Sequence, residues 1–436
     1  MKRGEDGFAG GGHVFPVFSG RIERKQCDPA CQPDGSSLEP HLCFDKNALS
    51  AGDSWTLRLA LFPIKSVMKL QATVRSIEQR RGDMVDADAL PTQSEKKCIF
   101  CGKPPKSKNK EHVVPKWLIG ITGNPKRIWH LGVETSDPNR KLRQFSAQQF
   151  QFPACAECNE RYSGLEGRTK GFMVRLLEGG DLKASEWDDL LDWFDKVRVG
   201  LWLGNMLLNK DWPTPTPNFH IDERIGKKDR CLLVYPNRPE FRGLVMSGAS
   251  DPVFMHKPSS FILAVNGLIF LNLSSEFLLS KIMGFPFPNE VSYSDERVYI
   301  DNFAAASEMK TPVLDFPFHK PQVGVFQAIL IEAAMSDEKY AALVESEYTG
   351  SRMIGRHSMK SRICTFEDVG AKFHAPEEIV EKSNILKNDL RSSSDYYAQL
   401  YHYRQYDLDV AKTHFPGNTK FLEFLKQYNL GALEQV

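Results

Sequence analysis

Four cysteines fall into two pairs with the spacing of metal-binding turns. Cys98 and Cys101 form one CxxC pair, and Cys155 and Cys158 form a second pair after 53 intervening residues. A CxxC turn points two thiolates at one ion, so two such turns complete the tetrahedral Cys₄ shell that suits Zn²⁺. Gly102 follows the first pair and supplies the permissive backbone that such turns favour. We predict a structural zinc, because a closed Cys₄ shell leaves no open position for a substrate.

Polar residues of other types lie directly beside both cysteine pairs. Glu111 and His112 open the segment Glu-His-Val-Val-Pro-Lys-Trp, and Asn159 directly follows Cys158. We expect Glu111 and His112 on a strand and Asn159 at the start of a helix. The two zinc turns would clamp these elements together, which would bring His112 close to Asn159 although they are far apart in the chain.

This order of motifs resembles the HNH endonucleases, also called ββα-metal or His-Me finger nucleases. It is similar more narrowly to their zinc-stapled subgroup, with the patterns EHxxPxW and CxxCNxxxSxLE, and the resemblance covers roughly residues 95–175. It implies that His112 activates water, that Glu111 ligates a divalent ion, and that Asn159 completes that metal site. The implied cofactors are a structural Zn²⁺ on the four cysteines and a catalytic Mg²⁺ or Mn²⁺.

The chain departs from the family pattern in three places. The acid is Glu111 where Asp is commoner, and the residue at the helix start is Asn159 where His is commoner. The segment between strand and helix is long, so the middle Asn of the HNH name is unassigned between Asn124 and Asn139.

The residue types suit hydrolysis of a phosphodiester. A neutral imidazole can take a proton from water near neutral pH, since the ordinary pKa of His is about 6.5. A hard divalent cation prefers oxygen ligands such as the carboxylate of Glu111 and the amide oxygen of Asn159. Such an ion would stabilise the departing alkoxide.

The same segment has a strong local excess of positive charge. Residues 95–175 contain 16 Lys and Arg against 7 Asp and Glu, whereas the net charge of all 436 residues is only +1. A local excess of this size is typical of a surface that binds a polyanion, although a solvated surface is the alternative. The predicted phosphate contacts are Lys103, Lys106, Lys108, Lys110, Lys116, Arg161, Arg168 and Lys170.

Glu166 lies seven residues after Asn159, about two helical turns, and so on the same face of the expected helix. Two roles are open for it. It ligates the ion, or it pairs with Arg168 or Lys170, and the pairing is slightly favoured.

Length and patterning predict several domains in an α+β chain. The predicted fold is a zinc-stapled ββα-metal (HNH) module followed by a long helix, a β-rich accessory domain and C-terminal helices. The expected boundaries are a low-order segment at 1–67, a linker or short helix at 68–94, the module at 95–180, a connecting helix at 181–210, the β-rich domain at 211–320 and a helical region at 321–436. A translation start at Met68 or Met84 is an open alternative.

Local patterns predict individual elements after the module. Helical spacing of apolar residues predicts a helix from Ser185 to Asn209, and Asn266-Gly267 between two apolar runs predicts a hairpin whose two turn residues both have positive φ. Residues Gln322 to Tyr348 are expected to be helical. Several tyrosines between 396 and 406 are expected to pack in a core, with stacking on nucleic-acid bases as the alternative.

Composition excludes some classes of protein. No stretch of about 18 apolar residues is present, so we expect no membrane span, and the clustered cysteines favour a reducing, cytoplasmic location. We expect a metal-dependent endonuclease acting on DNA, with RNA as an open substrate and restriction, phage defence, mobile elements or phage packaging as the setting. The alternatives are a non-catalytic zinc-dependent nucleic-acid-binding protein and a regulator whose β-rich domain binds a ligand.

Overall fold

The computed structural model describes residues 96–107, 109–124, 126–133, 142–208, 217, 219–283, 287–294, 297–304, 321–328, 363–366, 371–382, 393–414 and 419–434. The predictions for residues 1–67 and 68–94, and for Lys108 and Asn139, lie outside these ranges. The described chain mixes helices with antiparallel sheets, as the α+β prediction requires.

The cysteine-bearing segment forms short strands and two helices. Its elements are β1 (Asn109–His112), α1 (Lys116–Ile121), β2 (Ile128–Val133), β3 (Leu142–Ser146), β4 (Gln151–Ala154) and α2 (Ala156–Leu177). Strand β1 pairs antiparallel with β4, and β2 pairs antiparallel with β3. Strand β4 continues through Cys155 directly into α2, and its pairing with β1 brings together two strands and a helix that are separated in the chain by α1, β2 and β3.

A seven-stranded antiparallel sheet follows the module. Its strands are β6 (Asp229–Pro236), β7 (Leu244–Ser247), β8 (Ser260–Val265), β9 (Leu268–Ser275), β12 (Val323–Gln327), β13 (Ile363–Phe366) and β14 (Ala371–His374). Their order across the sheet is β14-β13-β12-β6-β9-β8-β7. Smaller two-stranded sheets pair β5 (Leu182–Lys183) with β15 (Ile379–Val380), and β10 (Phe287–Ser294) with β11 (Arg297–Ala304).

Helices cover both faces of the large sheet. The remaining helices are α3 (Ala184–Leu208), α4 (Ile221–Arg224), α5 (Pro252–His256), α6 (Leu278–Met283), α7 (Ser393–His414) and α8 (Thr419–Leu433). On β6, Leu232 and Val234 join the apolar cluster around α3, whereas Cys231, Leu233 and Tyr235 join the cluster around α7. Burial on both faces explains why β6 is apolar at five consecutive positions, 231–235, rather than at alternate ones.

Helix α3 lies between the module and the sheet and packs against both. Its Phe194 packs against Phe261 and Phe270 of the sheet, with ring centroids 6.0 and 5.5 Å apart. Its other side carries Gly200 and Gly204, where an added Cβ would lie 2.9 Å from Val113 and 2.6 Å from Phe152 of the module. The absence of side chains at these glycines lets the module approach the helix closely, so one apolar core runs through both parts.

The structure confirms the long helix, which runs from Ala184 to Leu208. It also confirms the hairpin between β8 and β9, with one correction: Asn266 has a positive φ of 47°, but Gly267 does not. The turn therefore needs only one residue in the left-handed region.

The helix expected from Gln322 is wrong over its described part. Val323 to Gln327 form strand β12, which pairs with β6 on one side and with β13 on the other. Two β-branched residues alternate in this run, and pairing with β6 decides its conformation. The expected residues from 329 to 348 lie outside the described ranges.

Four of the five tyrosines of α7 are buried or half-buried as expected, whereas Tyr406 is exposed. Tyr396 and Tyr403 are buried against the sheet, and the hydroxyl groups of Tyr397 and Ser247 lie 2.7 Å apart in a hydrogen bond. None of the described helices has the length and apolar composition needed to cross a bilayer.

Candidate metal centre and its surroundings

The four cysteines of the two CxxC pairs come together in space. The Sγ atoms of Cys98, Cys101, Cys155 and Cys158 all lie within 4.8 Å of one another. The backbone N–H of Cys155 also donates to the Sγ of Cys98 at 3.2 Å, and backbone N–H groups lower the pKa of the Cys98 thiol although burial alone would raise it. Four sulfur atoms at these separations fit the tetrahedral shell of Zn²⁺, so this site could hold a zinc ion.

The first CxxC pair forms a tight turn. The N–H of Gly102 donates to the carbonyl oxygen of Cys98 at 2.9 Å, and Gly102 has a φ of +69°, as its position in the sequence predicted. A Cβ at Gly102 would lie 2.5 Å from Nδ1 of His220. Glycine is therefore required here both by the backbone conformation and by the ring of His220.

A segment from the start of the sheet region docks onto this turn. The N–H groups of Ile221 and Asp222 donate to the carbonyl oxygens of Ile99 and Phe100, at 3.3 and 3.0 Å. Asp222 also accepts a hydrogen bond from the hydroxyl of Tyr162 at 2.7 Å. The metal centre therefore contacts a part of the chain more than 100 residues beyond its first ligand.

His112 lies at the end of β1, half-buried, opposite Gln151 of β4. Its Nε2 and the side-chain Nε2 of Gln151 are 2.8 Å apart and form a hydrogen bond. Asn159 lies in the first turn of α2, also half-buried, and its N–H donates to the carbonyl oxygen of Cys155. The strand and the helix start therefore carry the residues expected of them.

Glu111 points toward α3 and is largely buried, at 8% exposure. Its Oε1 accepts a hydrogen bond from Nζ of Lys196 at 2.6 Å, and the same ammonium bonds Glu166. Burial alone would lower the pKa of Lys196, but Glu166 and Glu111 raise it above its ordinary value, so the lysine is charged. The neighbouring carboxylate of Glu166 also accepts hydrogen bonds from the indole N–H groups of Trp117 and Trp193, at 2.7 and 3.1 Å.

These contacts bear on the divalent ion that the resemblance implies at Glu111 and Asn159. Glu111 already has a buried ammonium group as its counter-ion, and that ammonium would repel a divalent cation at the same carboxylate. The residues present therefore do not fit Mg²⁺ or Mn²⁺ in the way the resemblance implies. Glu166 likewise pairs with Lys196 and not with Arg168 or Lys170, so the favoured pairing is corrected.

The predicted phosphate contacts divide into two groups. Arg161 is paired with Asp222, and Arg168 makes a two-point contact with Asp189 at 2.7 Å. Both arginines line a cleft of about 250 Å³ whose walls also carry Asp192 and Asp222, so its charges are mixed.

The described lysines of the set are exposed like the arginines, but they make no ion pair within the described part of the chain. They are Lys103, Lys106, Lys110, Lys116 and Lys170. Asn124, one of the two residues considered for the middle Asn, is exposed and accepts a hydrogen bond from the N–H of Lys126, as in a simple turn.

Three residues that shape this region, Lys196, Gln151 and Asp222, were not predicted from the sequence. Lys196 lies three positions after Trp193, on the same side of the helix as that apolar ring, which was a signal that its charge has a buried partner. Gln151 and Asp222 gave no such signal, because their roles depend on strand register and on a contact distant in sequence.

Comparison of the chain with models of protein families, with curated proteins and with solved structures finds no match.

Proposed function

We propose that this chain is a nuclease that hydrolyses phosphodiester bonds in DNA, with His112 as the general base. The observation that supports it best is the order of elements around the metal centre. Strand β1 ends at His112 and pairs with β4, which runs through the second cysteine pair into α2. Two paired strands followed by a helix are the arrangement that the HNH resemblance implies, although α1, β2 and β3 lie between the two strands in this chain.

The proposed chemistry uses the residues of the module. Neutral His112 takes a proton from water while the water oxygen bonds to phosphorus, the bond from phosphorus to the leaving oxygen breaks, and the leaving oxygen takes a proton from solvent water. Exposed lysines such as Lys110 and Lys116 hold the phosphates without reading the sequence. Zinc on the four cysteines holds the strands and helix in place and takes no part in the reaction. Because Glu111 is paired with Lys196, the proposed reaction uses no Mg²⁺ or Mn²⁺ at this carboxylate.

Nicking of supercoiled plasmid DNA tests this proposal. We expect zinc-loaded wild-type protein to nick DNA, and His112→Ala to be slower by about 10²- to 10⁴-fold, the usual contribution of a general base. His402→Ala on α7 is the matched control and should nick at the wild-type rate. Zinc content and DNA binding should be unchanged in both variants. Equal rates for wild type and His112→Ala would remove His112 as the base.

A second function is favoured by one observation, the pairing of Glu111 with Lys196. A module whose acid is neutralised in this way suits a zinc-dependent protein that binds nucleic acid without cutting it. This reading predicts no nicking by the wild type, but salt-dependent binding of DNA, with log K falling by about 0.9 per log unit of salt for each phosphate contacted. Charge reversal at Lys110 and Lys116 should then reduce that slope.

A further inference from the structure

Lys196 joins three elements at the centre of the module. It belongs to α3, and its ammonium contacts Glu111 on β1 and Glu166 on α2. Its side chain is 1% exposed. A lysine is rarely buried to this extent unless its charge is neutralised, so the two carboxylates explain its position.

The groups around the ammonium of Lys196 stabilise a positive charge. The indole N–H groups of Trp117 and Trp193 both donate to Glu166, and their rings lie 5.7 Å apart. These bonds hold the Glu166 carboxylate in place toward Lys196. Nζ of Lys196 also lies 6.0 Å from the ring centroid of Phe100, within the range at which an aromatic face attracts a cation.

We propose that Lys196 is the resident cation of the module and takes the place of the divalent ion that the HNH resemblance implies at Glu111. This inference rests on the proposed function, since it concerns the site at which the HNH resemblance implies Mg²⁺ or Mn²⁺. Lys196 supplies a fixed positive charge between strand and helix, with no metal to be gained or lost. Any hydrolysis by the wild type then needs no Mg²⁺ or Mn²⁺ at this carboxylate.

The geometry identifies where an added ion would have to bind. Lys196 holds Oε1 of Glu111, while Oε2 accepts no hydrogen bond from the described residues. An ion at Oε2 would lie beside the ammonium in a poorly solvated site, where the repulsion between cations is weakly screened. Removing the ammonium would leave two buried carboxylates of like charge, an arrangement that attracts a divalent cation.

Binding of Mn²⁺ to the zinc-loaded protein without DNA tests the proposal. The concentration of free Mn²⁺ is measured by electron paramagnetic resonance, which gives the Mn²⁺ affinity of each protein. Four proteins are compared: the wild type, Glu111→Gln, Lys196→Met and Lys183→Met. Lys183 is the matched control, because it pairs with Glu377 at the same 2.6 Å but on the surface. We expect the wild type, Glu111→Gln and Lys183→Met to bind Mn²⁺ equally weakly, and Lys196→Met to bind it at least tenfold more tightly.

Two results would overturn the proposal. One is wild-type binding of Mn²⁺ that is at least tenfold tighter than in Glu111→Gln. The other is a folded Lys196→Met protein that gains no affinity over Lys183→Met. If Lys196→Met does not fold, the comparison of wild type with Glu111→Gln still decides.

Failure of the proposed nuclease function is distinguishable from failure of the Lys196 proposal. The first is detected by the rate of DNA nicking, and the second by the affinity for Mn²⁺. Weak Mn²⁺ binding together with loss of nicking in His112→Ala supports both proposals. Weak Mn²⁺ binding in a wild type that never nicks DNA supports the role of Lys196 and rejects the nuclease.

Discussion

The module and the seven-stranded sheet lie on opposite sides of α3 but are held together by different means. The module has two-stranded ladders of only a few residues, and four sulfur atoms converge beside them. The sheet has seven strands, is covered on both faces, and is joined to its covering helices by packing and by buried ion pairs such as Arg230–Asp192, while Arg404 of α7 pairs with Asp251. A short ladder buries too little surface to be stable alone, so we expect the module to need a metal at its four cysteines in addition to its packing against α3, whereas packing and ion pairs suffice for the sheet.

The largest expected effect is loss of zinc. Cys98→Ser should reduce bound zinc from one ion per chain to nearly none, and it removes a binding free energy on the order of 10 kcal/mol that is coupled to folding. Hydrogen exchange should become fast for the amides of β1 and β4 and stay slow for those of β6 and β9. Cys231→Ala, in the sheet core, is the control and should keep its zinc. An unchanged melting temperature and zinc content in Cys98→Ser would contradict the dependence on metal.

The next effect tests the ion pairs on the sheet side of α3. Arg230 is 1% exposed and bonds Asp188 and Asp192 of the helix, at 2.6 and 2.5 Å. Arg230→Met leaves these carboxylates without their counter-ion, so we expect the free energy of unfolding to fall by about 3–5 kcal/mol. Denaturant unfolding measures it, and zinc content should not change. If the free energy of unfolding fell by less than about 1 kcal/mol, packing and not these ion pairs would stabilise the contact between α3 and the sheet.

The smallest effect concerns the close approach of the module to α3. Gly204→Ala places a methyl group 2.6 Å from the ring of Phe152, and the overpacking should cost about 1–3 kcal/mol. Gly171→Ala in α2 meets nothing within 4 Å, so it should stabilise the chain by about 0.5–1 kcal/mol through helix propensity. Thermal unfolding should show shifts of opposite sign. Two shifts of the same sign would argue against the tight contact.

The parts of this molecule that could be predicted from the sequence are those set by local spacing. Two CxxC pairs predicted the convergence of four thiols, apolar periodicity predicted α3, and Asn266-Gly267 predicted the hairpin of β8 and β9. In each case the residues that decide the structure are neighbours in the chain or form a recognised metal motif.

The features that could not be predicted depend on partners far apart in the chain. Val323 to Gln327 have a helix-compatible pattern, but pairing with β6, about 90 residues earlier, makes them a strand. Lys196 meets Glu111 across 85 residues, and no local pattern links them. The assignment of Glu111 as a metal ligand came from the resemblance, which supplies a role for the acid but not the identity of its neighbour.

Helix α3 packs against both the module and the sheet, so the point at which the chain is truncated decides which contacts of the module are kept. Val113 and Phe152 of the module rest against Gly200 and Gly204, and Ile99 and Phe100 bond residues 221 and 222. A fragment that ended before Ala184 would leave these apolar side chains in water and these carbonyl groups without their donors. Such a fragment should aggregate, whereas one that extended past residue 225 would retain every contact named here.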